Sequence, residues 1–551
     1  MRGHPRLRRL GIVLVFGAAA VAAVGNELGT LGSSFLSTGL PGYGEAATGD
    51  HVQTGWWFWL IGHQLGHGAA PWRDPYSFQP LMDPQVVFGG WPYGFAFWPL
   101  YAAFGQVVAW NALLIAVVAL SGIVTYAWLR ALDLPVAAGL VGGLAFELAP
   151  YRLVQSGGHL LGWVAVFVPL ALLGIERSRA AESPRARHVW GAVAAVAVVS
   201  VPLSGHVHLA LGAIPFVVAY AGTRFRRTTF VWTLAGALAA VGAGFLVDAL
   251  VISDSTESGG RPLAEIETYQ ASWFDFLDRT RERGLEDFVY AGWLLPLLAL
   301  AGLVVLARRK PWLAALLGIA VVVPALLALG TNTPVYEAFR TVFPPLRYPR
   351  VPGRLMPIAD LALAALAACA VEALLRRIRG RTALAVATVF AVLVAADLSV
   401  WPLRATAADP DNGAYAALPQ GRVLELPVTE GVNGSVYLYY TMQNPRERPG
   451  GYASARPKEQ AAFYRRWRHL NCGEWRPDDN RALEALGIGA IVVHSGLYGF
   501  LGAPDGERVA AANLDENDWR PVAKDGPVTL YVRGENPGPT VRPSSGGRCD
   551  I

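Results

Sequence analysis

Between Gly49 and Pro75 the chain gathers two aspartates, three histidines and four tryptophans, a mixture found nowhere else along it. Asp50 is the member best suited to chemistry, because a carboxylate that takes a proton from an acceptor hydroxyl is the base that a group transfer needs. The same residue opens a helical pattern with Gln53 three positions on. That spacing also reads as a capping box, and an acid there suits the helix dipole. Spacing alone leaves base and cap level.

A second constellation lies in Pro344-Pro345-Leu346-Arg347-Tyr348-Pro349-Arg350-Val351-Pro352-Gly353-Arg354. Prolines stiffen this backbone, and the forks of Arg347, Arg350 and Arg354 can grip phosphate oxygens in pairs. The competing reading is contact with lipid headgroups at a helix entry. Arg152 is a fourth candidate for a phosphate, against the simpler role of neutralising Glu147. His159 is a candidate for substrate contact or for capping a span, and Trp56, Asp74 and Tyr348 are further substrate-contact candidates. His63/His67 and His206/His208 have the spacing of metal-ligand pairs, but no cysteine cluster supports zinc. No cofactor is called for. A divalent cation, Mg or Mn, held by Asp50 with an acid such as Asp254 or Glu257 is compatible with the sequence, although the first loop lacks a clear D-x-D. No nucleotide-phosphate loop of the G-x-x-x-x-G-K-[ST] type is present, so an activated lipid must bring the energy of any external reaction.

These groups have to be positioned by a membrane scaffold. Of 551 residues, 53% are hydrophobic and 16% charged, against about 25% charged in a soluble domain. Eleven apolar stretches are read as spans, at about 9–25, 105–129, 134–149, 157–175, 188–204, 206–222, 228–250, 288–307, 312–331, 356–376 and 382–400. Arg2, Arg6, Arg8 and Arg9 before the first stretch resemble a signal peptide, but an uncleaved span is the preferred reading. One set of short connections carries 19 basic residues, and the longer alternate set carries ten before the C-terminal region. The positive-inside rule therefore puts the N-terminus in the cytoplasm and the loops 26–104, 150–156, 251–287 and 332–355 outside, with residues 404–551. Glu147, Asp248, Asp360 and Asp397 then fall at outer span ends, while Glu372 lies at an inner end four residues before Arg376. This convergence of titratable groups on one side tips Asp50 toward chemistry. The net charge of +5 is spread in short clusters and does not point to nucleic acid.

Within the first loop, Val52, Trp56, Trp59, Leu60 and His63 share a helical face, which predicts a juxtamembrane helix at the bilayer surface. From about residue 404 the composition turns polar. Strands are predicted around 422–426, 490–493 and 528–532 and helices at 457–470 and 480–486, giving a soluble α/β domain over 404–551. Cys472 and Cys549 both fall in this region, where an oxidising exterior permits a disulfide. No internal repeat is evident.

Asp50 at the head of a Trp-rich helix, the Pro71-Trp72-Arg73-Asp74-Pro75 segment, the Tyr151-Arg152 to His159 loop and Arg347-Tyr348-Pro349-Arg350 before a late span together resemble the bacterial GT-C glycosyltransferases over roughly residues 1–400. The resemblance implies an α-helical polytopic protein of the inner membrane with a C-terminal domain on the periplasmic or extracellular side. It implies inverting transfer of a sugar from a polyprenyl-phosphate donor to an external glycan, lipid or protein acceptor of the cell envelope, with Asp50 as base. His51 stands where a second acid would support a metal-dependent mechanism. The alternatives are a transporter or flippase of a lipid-linked saccharide, and a non-catalytic envelope assembly factor.

Overall fold

A computed structural model describes residues 5–40, 42, 44–280, 285–378, 380–453, 455–501 and 504–534. Among the described residues six helices are long and apolar enough to cross a membrane: Tyr93–Ala131, Leu161–Ala180, Pro184–Leu203, Arg227–Ile252, Pro311–Ala328 and Pro352–Leu375. Five shorter apolar helices, Arg9–Ala22, Val136–Glu147, Val207–Thr223, Leu294–Ala307 and Thr382–Leu398, occupy the other predicted spans. The chain is thus a mostly helical membrane protein. By internal contacts it divides into one compact unit of residues 1–29, 111–249 and 259–404, and another of 30–110, 250–258 and 405–551.

In the first unit, helix ends fall where the local chemistry demands. Pro150 cannot continue the Val136–Glu147 helix and instead opens the next short one, Pro150–Ser156. Asp397 accepts the backbone N–H groups of Trp293 and Leu294, at 3.1 and 2.8 Å, and so caps the Leu294–Ala307 helix from a distant part of the chain. That helix packs closely on Met356–Leu375, since a Cβ at Gly302 would collide with the Leu366 carbonyl. At the other end of the same helix Glu372 accepts Arg376 Nε at 2.8 Å, the i,i+4 pair that the spacing predicts.

The second unit joins the first loop to the C-terminal segment, a grouping that chain order does not suggest. Strands β1 (Arg422–Leu426), β2 (Ile488–His494), β3 (Trp519–Asp525) and β4 (Val528–Arg533) form one sheet in the order β1-β2-β4-β3. β1 pairs parallel to β2, with Leu424 opposite Ile491, and the other pairings are antiparallel. Three of these strands match the predicted ones. β3 escapes the pattern because it is a mostly exposed edge carrying Pro521, beside which the register shifts. Helices Lys458–Trp467 and Asp479–Ala485 agree with the predicted pair. Leu424, Leu426, Trp467, Trp475, Leu483, Ile491, Leu514, Trp519 and Tyr531 build the core between sheet and helices. Cys472 is disulfide-bonded, and Cys549 lies outside the described residues.

The first loop is sewn into this unit by backbone bonds. Phe78 N–H donates to Gly450 O at 3.1 Å, Gln79 N–H to Arg448 O at 2.8 Å and Arg448 N–H to Tyr76 O at 2.8 Å. The Glu45 carboxylate accepts His494 Nδ1–H at 2.5 Å and the Leu497 amide at 2.9 Å, while Tyr415 Oη lies 2.9 Å from His494 Nε2. The Trp-rich helix runs from Asp50 to Gly66, as its periodicity predicts. Its predicted face packs against protein: Val52, Trp56, Trp59 and Leu60 are all buried, as are His51, Gln53 and Phe58 on other faces. An aromatic stripe has the same composition whether it meets lipid or protein, so pattern could not distinguish the two. The second predicted span begins earlier than expected, at Tyr93, and bends at Gly105. The φ of 77° there is open to glycine and strained for other residues.

Candidate functional site

The predicted site residues fall into two sets, one in each unit. Asp50 is half-buried in the first turn of its helix, and the N-cap position belongs to Gly49, which makes no side-chain cap. The partners of a capping box are engaged elsewhere. Tyr452 Oη–H donates to Asp50 Oδ1 at 2.5 Å, and Gln53 Nε2 donates to the Tyr452 carbonyl at 3.0 Å. One residue thus orients both side chains. Beside it, His51 is buried against Phe35 and Trp110, and among the described residues neither ring nitrogen has a hydrogen-bond partner. Burial lowers its pKa to about 4 against the opposing pull of Asp50, so the ring is neutral near pH 7.

Trp56 and Asp74 come together, but not toward a ligand. Trp56 Nε1–H donates to Asp74 Oδ2 at 3.3 Å, and Asp74 Oδ1 accepts the amides of Tyr76 and Ser77 at 2.9 and 3.2 Å. Both residues are buried. Asp74 thus opens an Asx-type turn that Trp56 fastens to the helix. Further along the helix, Trp59 and His63 stack, His67 lies tilted against His63, and His63 Nε2 shares a hydrogen bond of 2.6 Å with Tyr76 Oη. Burial, aided by His67, lowers the His63 pKa to about 4. Among the described residues no group of three His, Cys, Asp or Glu is placed to hold a metal ion.

In the first unit, Glu286 gathers Arg354 and His159. Arg354 Nη2 and His159 Nε2 lie 2.9 and 3.0 Å from Glu286 Oε1, and Gln155 Nε2 donates to Oε2 at 3.2 Å. Burial works to raise the Glu286 pKa, but Arg354 and His159 together hold it well below the usual carboxylate range. Sequence reading missed Glu286, because no spacing ties Glu286 to its three partners. Arg350 lies over the ring of Tyr269, 5.0 Å from its centre. Arg347 and Tyr348 are exposed, and their carbonyls are pinned by Arg261, through its N–H at 2.8 Å and its Nε at 3.1 Å. Arg152 departs from expectation. It is fully buried and donates to the carbonyls of Phe146 and Gly162, at 3.1 and 3.3 Å, and to that of Glu147. It ties the end of one helix to the start of another.

The Glu286 cluster has a pH signature. A carboxylate with a depressed folded pKa stabilises the protein above its unfolded pKa of about 4.3 and loses that contribution as pH falls through the folded value. Glu286→Gln is expected to cost about 2 kcal/mol at pH 7, as for other hydrogen bonds to charged groups. The gap from wild type should close as the pH is lowered from about 4 through the depressed folded value. Thermal unfolding of the detergent-solubilised chain across pH 3–8 measures it, and a gap independent of pH would remove Glu286 from this role.

No protein-family model matches the chain, and no curated protein sequence does. Solved structures do match in fold. The oligosaccharyltransferase of Archaeoglobus fulgidus in its apo form aligns with a TM-score of 0.53 at 10% identity, over 96% of this chain and 74% of that one. ArnT from Cupriavidus metallidurans bound to undecaprenyl phosphate gives 0.51 at 14% identity, over 96% and 99%. The arabinofuranosyltransferase AftD from Mycobacteria gives 0.59 at 16% identity, and there this chain spans only 42% of the other's length. At such identities the likeness concerns the fold and not the residues. The chain shares its fold with these three membrane transferases.

Proposed function

We propose that this protein transfers a sugar from a polyprenyl-phosphate donor to an acceptor outside the membrane, with inversion and with Asp50 as the base. The observation that carries the reading is Asp50 itself, half-buried at the head of an interior helix and held by Tyr452, in a chain with the GT-C fold. In this reading Asp50 takes the proton of the acceptor hydroxyl as that oxygen attacks the anomeric carbon, and the lipid phosphate leaves with the bonding electron pair. Arg347, Arg350 and Arg354 bind the departing phosphate. A cation at that position stabilises the charge that develops there. His159 and Tyr348 contact the substrate from the same unit. Eleven spans set the N-terminus in the cytoplasm of a bacterial inner membrane and the C-terminal domain outside it.

ArnT's structure holds undecaprenyl phosphate, a lipid of the proposed donor class. The test is turnover. The purified full chain is incubated with a panel of polyprenyl-phosphate sugars, and release of free lipid phosphate is measured. Turnover of at least one donor is expected, and none across pentose and hexose donors with mixed envelope acceptors would reject the assignment.

A further inference from the structure

Away from the proposed chemistry, the first unit contains a cleft of about 150 Å³ lined by Leu134, Leu306, Leu313, Leu317 and Ala365, with Arg309, Lys310 and Arg376 also on its wall. The walls come from the end of the Leu294–Ala307 helix, the start of Pro311–Ala328, the second half of Met356–Leu375 and the connection at residues 132–134. The lining joins hydrocarbon side chains to a charged group of Arg309, Lys310, Arg376, Asp133 and Glu372. The charges do not cancel. Glu372 accepts Arg309 Nη1 and Arg376 Nε, each at 2.8 Å, so one carboxylate serves two guanidinium groups. With Lys310 and Asp133 counted, the lining holds three cations and two acids, and Arg308 and Arg377 are the sequence neighbours of Arg309 and Arg376.

The surroundings say which medium the cleft meets. Val304, Trp312, Ile319 and Leu374, on the same three helices, are large apolar side chains left exposed. Trp312, at the first turn of its helix and two residues from Lys310, suits the level of the headgroups. A cavity of this size holds an apolar group about as large as benzene, which is a segment of one acyl chain and not a whole lipid. A basic pocket between membrane helices with an apolar floor recognises a negatively charged headgroup.

We propose that this cleft binds an anionic membrane phospholipid, with its phosphate against Lys310 and Arg309 and part of one acyl chain along Leu306, Leu313 and Leu317. It is distinct from the place proposed for the donor. Arg354 lies two residues before the Met356–Leu375 helix and Arg376 immediately follows it, and 20 helical residues separate the two by about 30 Å. By the positive-inside rule the cleft belongs to the cytoplasmic leaflet.

The experiment uses the full chain in detergent, charged with phosphatidylglycerol or with phosphatidylcholine of the same chain length, and counts retained lipid by native mass spectrometry. Wild type is expected to retain phosphatidylglycerol at least fivefold more than phosphatidylcholine. Lys310→Glu, which reverses the charge at the rim, and Ala365→Leu, which fills the floor, should each reduce that preference to less than twofold. Inorganic phosphate at 10 mM should leave the lipid in place. Equal retention of the two lipids by wild type, wild-type preference in both variants, or displacement by phosphate alone would each overturn the proposal.

Discussion

Asp50→Asn is expected to reduce sugar transfer by about 10²–10⁴-fold, the range contributed by a positioned general base, with the protein still folded. Asparagine keeps the shape of the side chain, and its amide oxygen can still accept the 2.5 Å bond from Tyr452. What it loses is the ability to carry away a proton. The loss should fall on the chemical step and leave donor affinity as it was, because Asp50 is assigned to the acceptor hydroxyl and not to the phosphate. Tyr452→Phe removes the donor that orients the carboxylate but removes no charge, and a loss of about tenfold is expected, matching one hydrogen bond to a charged group. Release of lipid phosphate under saturating donor measures both. Undiminished transfer by Asp50→Asn would sink the assignment, whatever the donor proves to be.

Arg448→Met is expected to destabilise the second unit by about 3–5 kcal/mol, the cost of leaving one partner of a buried ion pair alone. Arg448 and Glu425 are both buried, and the guanidinium donates to the Glu425 carboxylate and, at 2.8 Å, to the Tyr437 carbonyl. Arg448 also carries the backbone bonds that fasten the first loop to the sheet, so loosening it frees residues 76–79. Burial already raises the Glu425 pKa despite the opposing pull of Arg448. Without Arg448 the carboxyl is pushed further up, and it binds a proton more readily folded than unfolded. The variant should therefore lose more stability at pH 8 than at pH 5. Glu425→Gln added to Arg448→Met should recover part of the loss and flatten that pH dependence. Unfolding temperatures at the two pH values decide it, and a variant as stable as wild type at pH 8 would show that the pair contributes nothing.

The amino-acid sequence by itself determined the features that depend on neighbours along the chain. Apolar run length marks the helices, three strands of the C-terminal sheet follow from short β-rich runs, and the Glu372–Arg376 pair follows from one helical turn of spacing. Asp50 and the helix it opens were legible for the same reason. Only the tertiary structure decided what each polar group faces. Tyr452 reaches Asp50 across 402 residues, and Glu286 reaches Arg354 across 68. Neither pairing leaves a periodic trace. Trp56, Asp74 and Arg152 have the residue types of a binding site, yet burial gives them internal partners. A buried polar group must be satisfied wherever the fold happens to place a partner, and that placement is a property of the packed chain, not of any stretch of it.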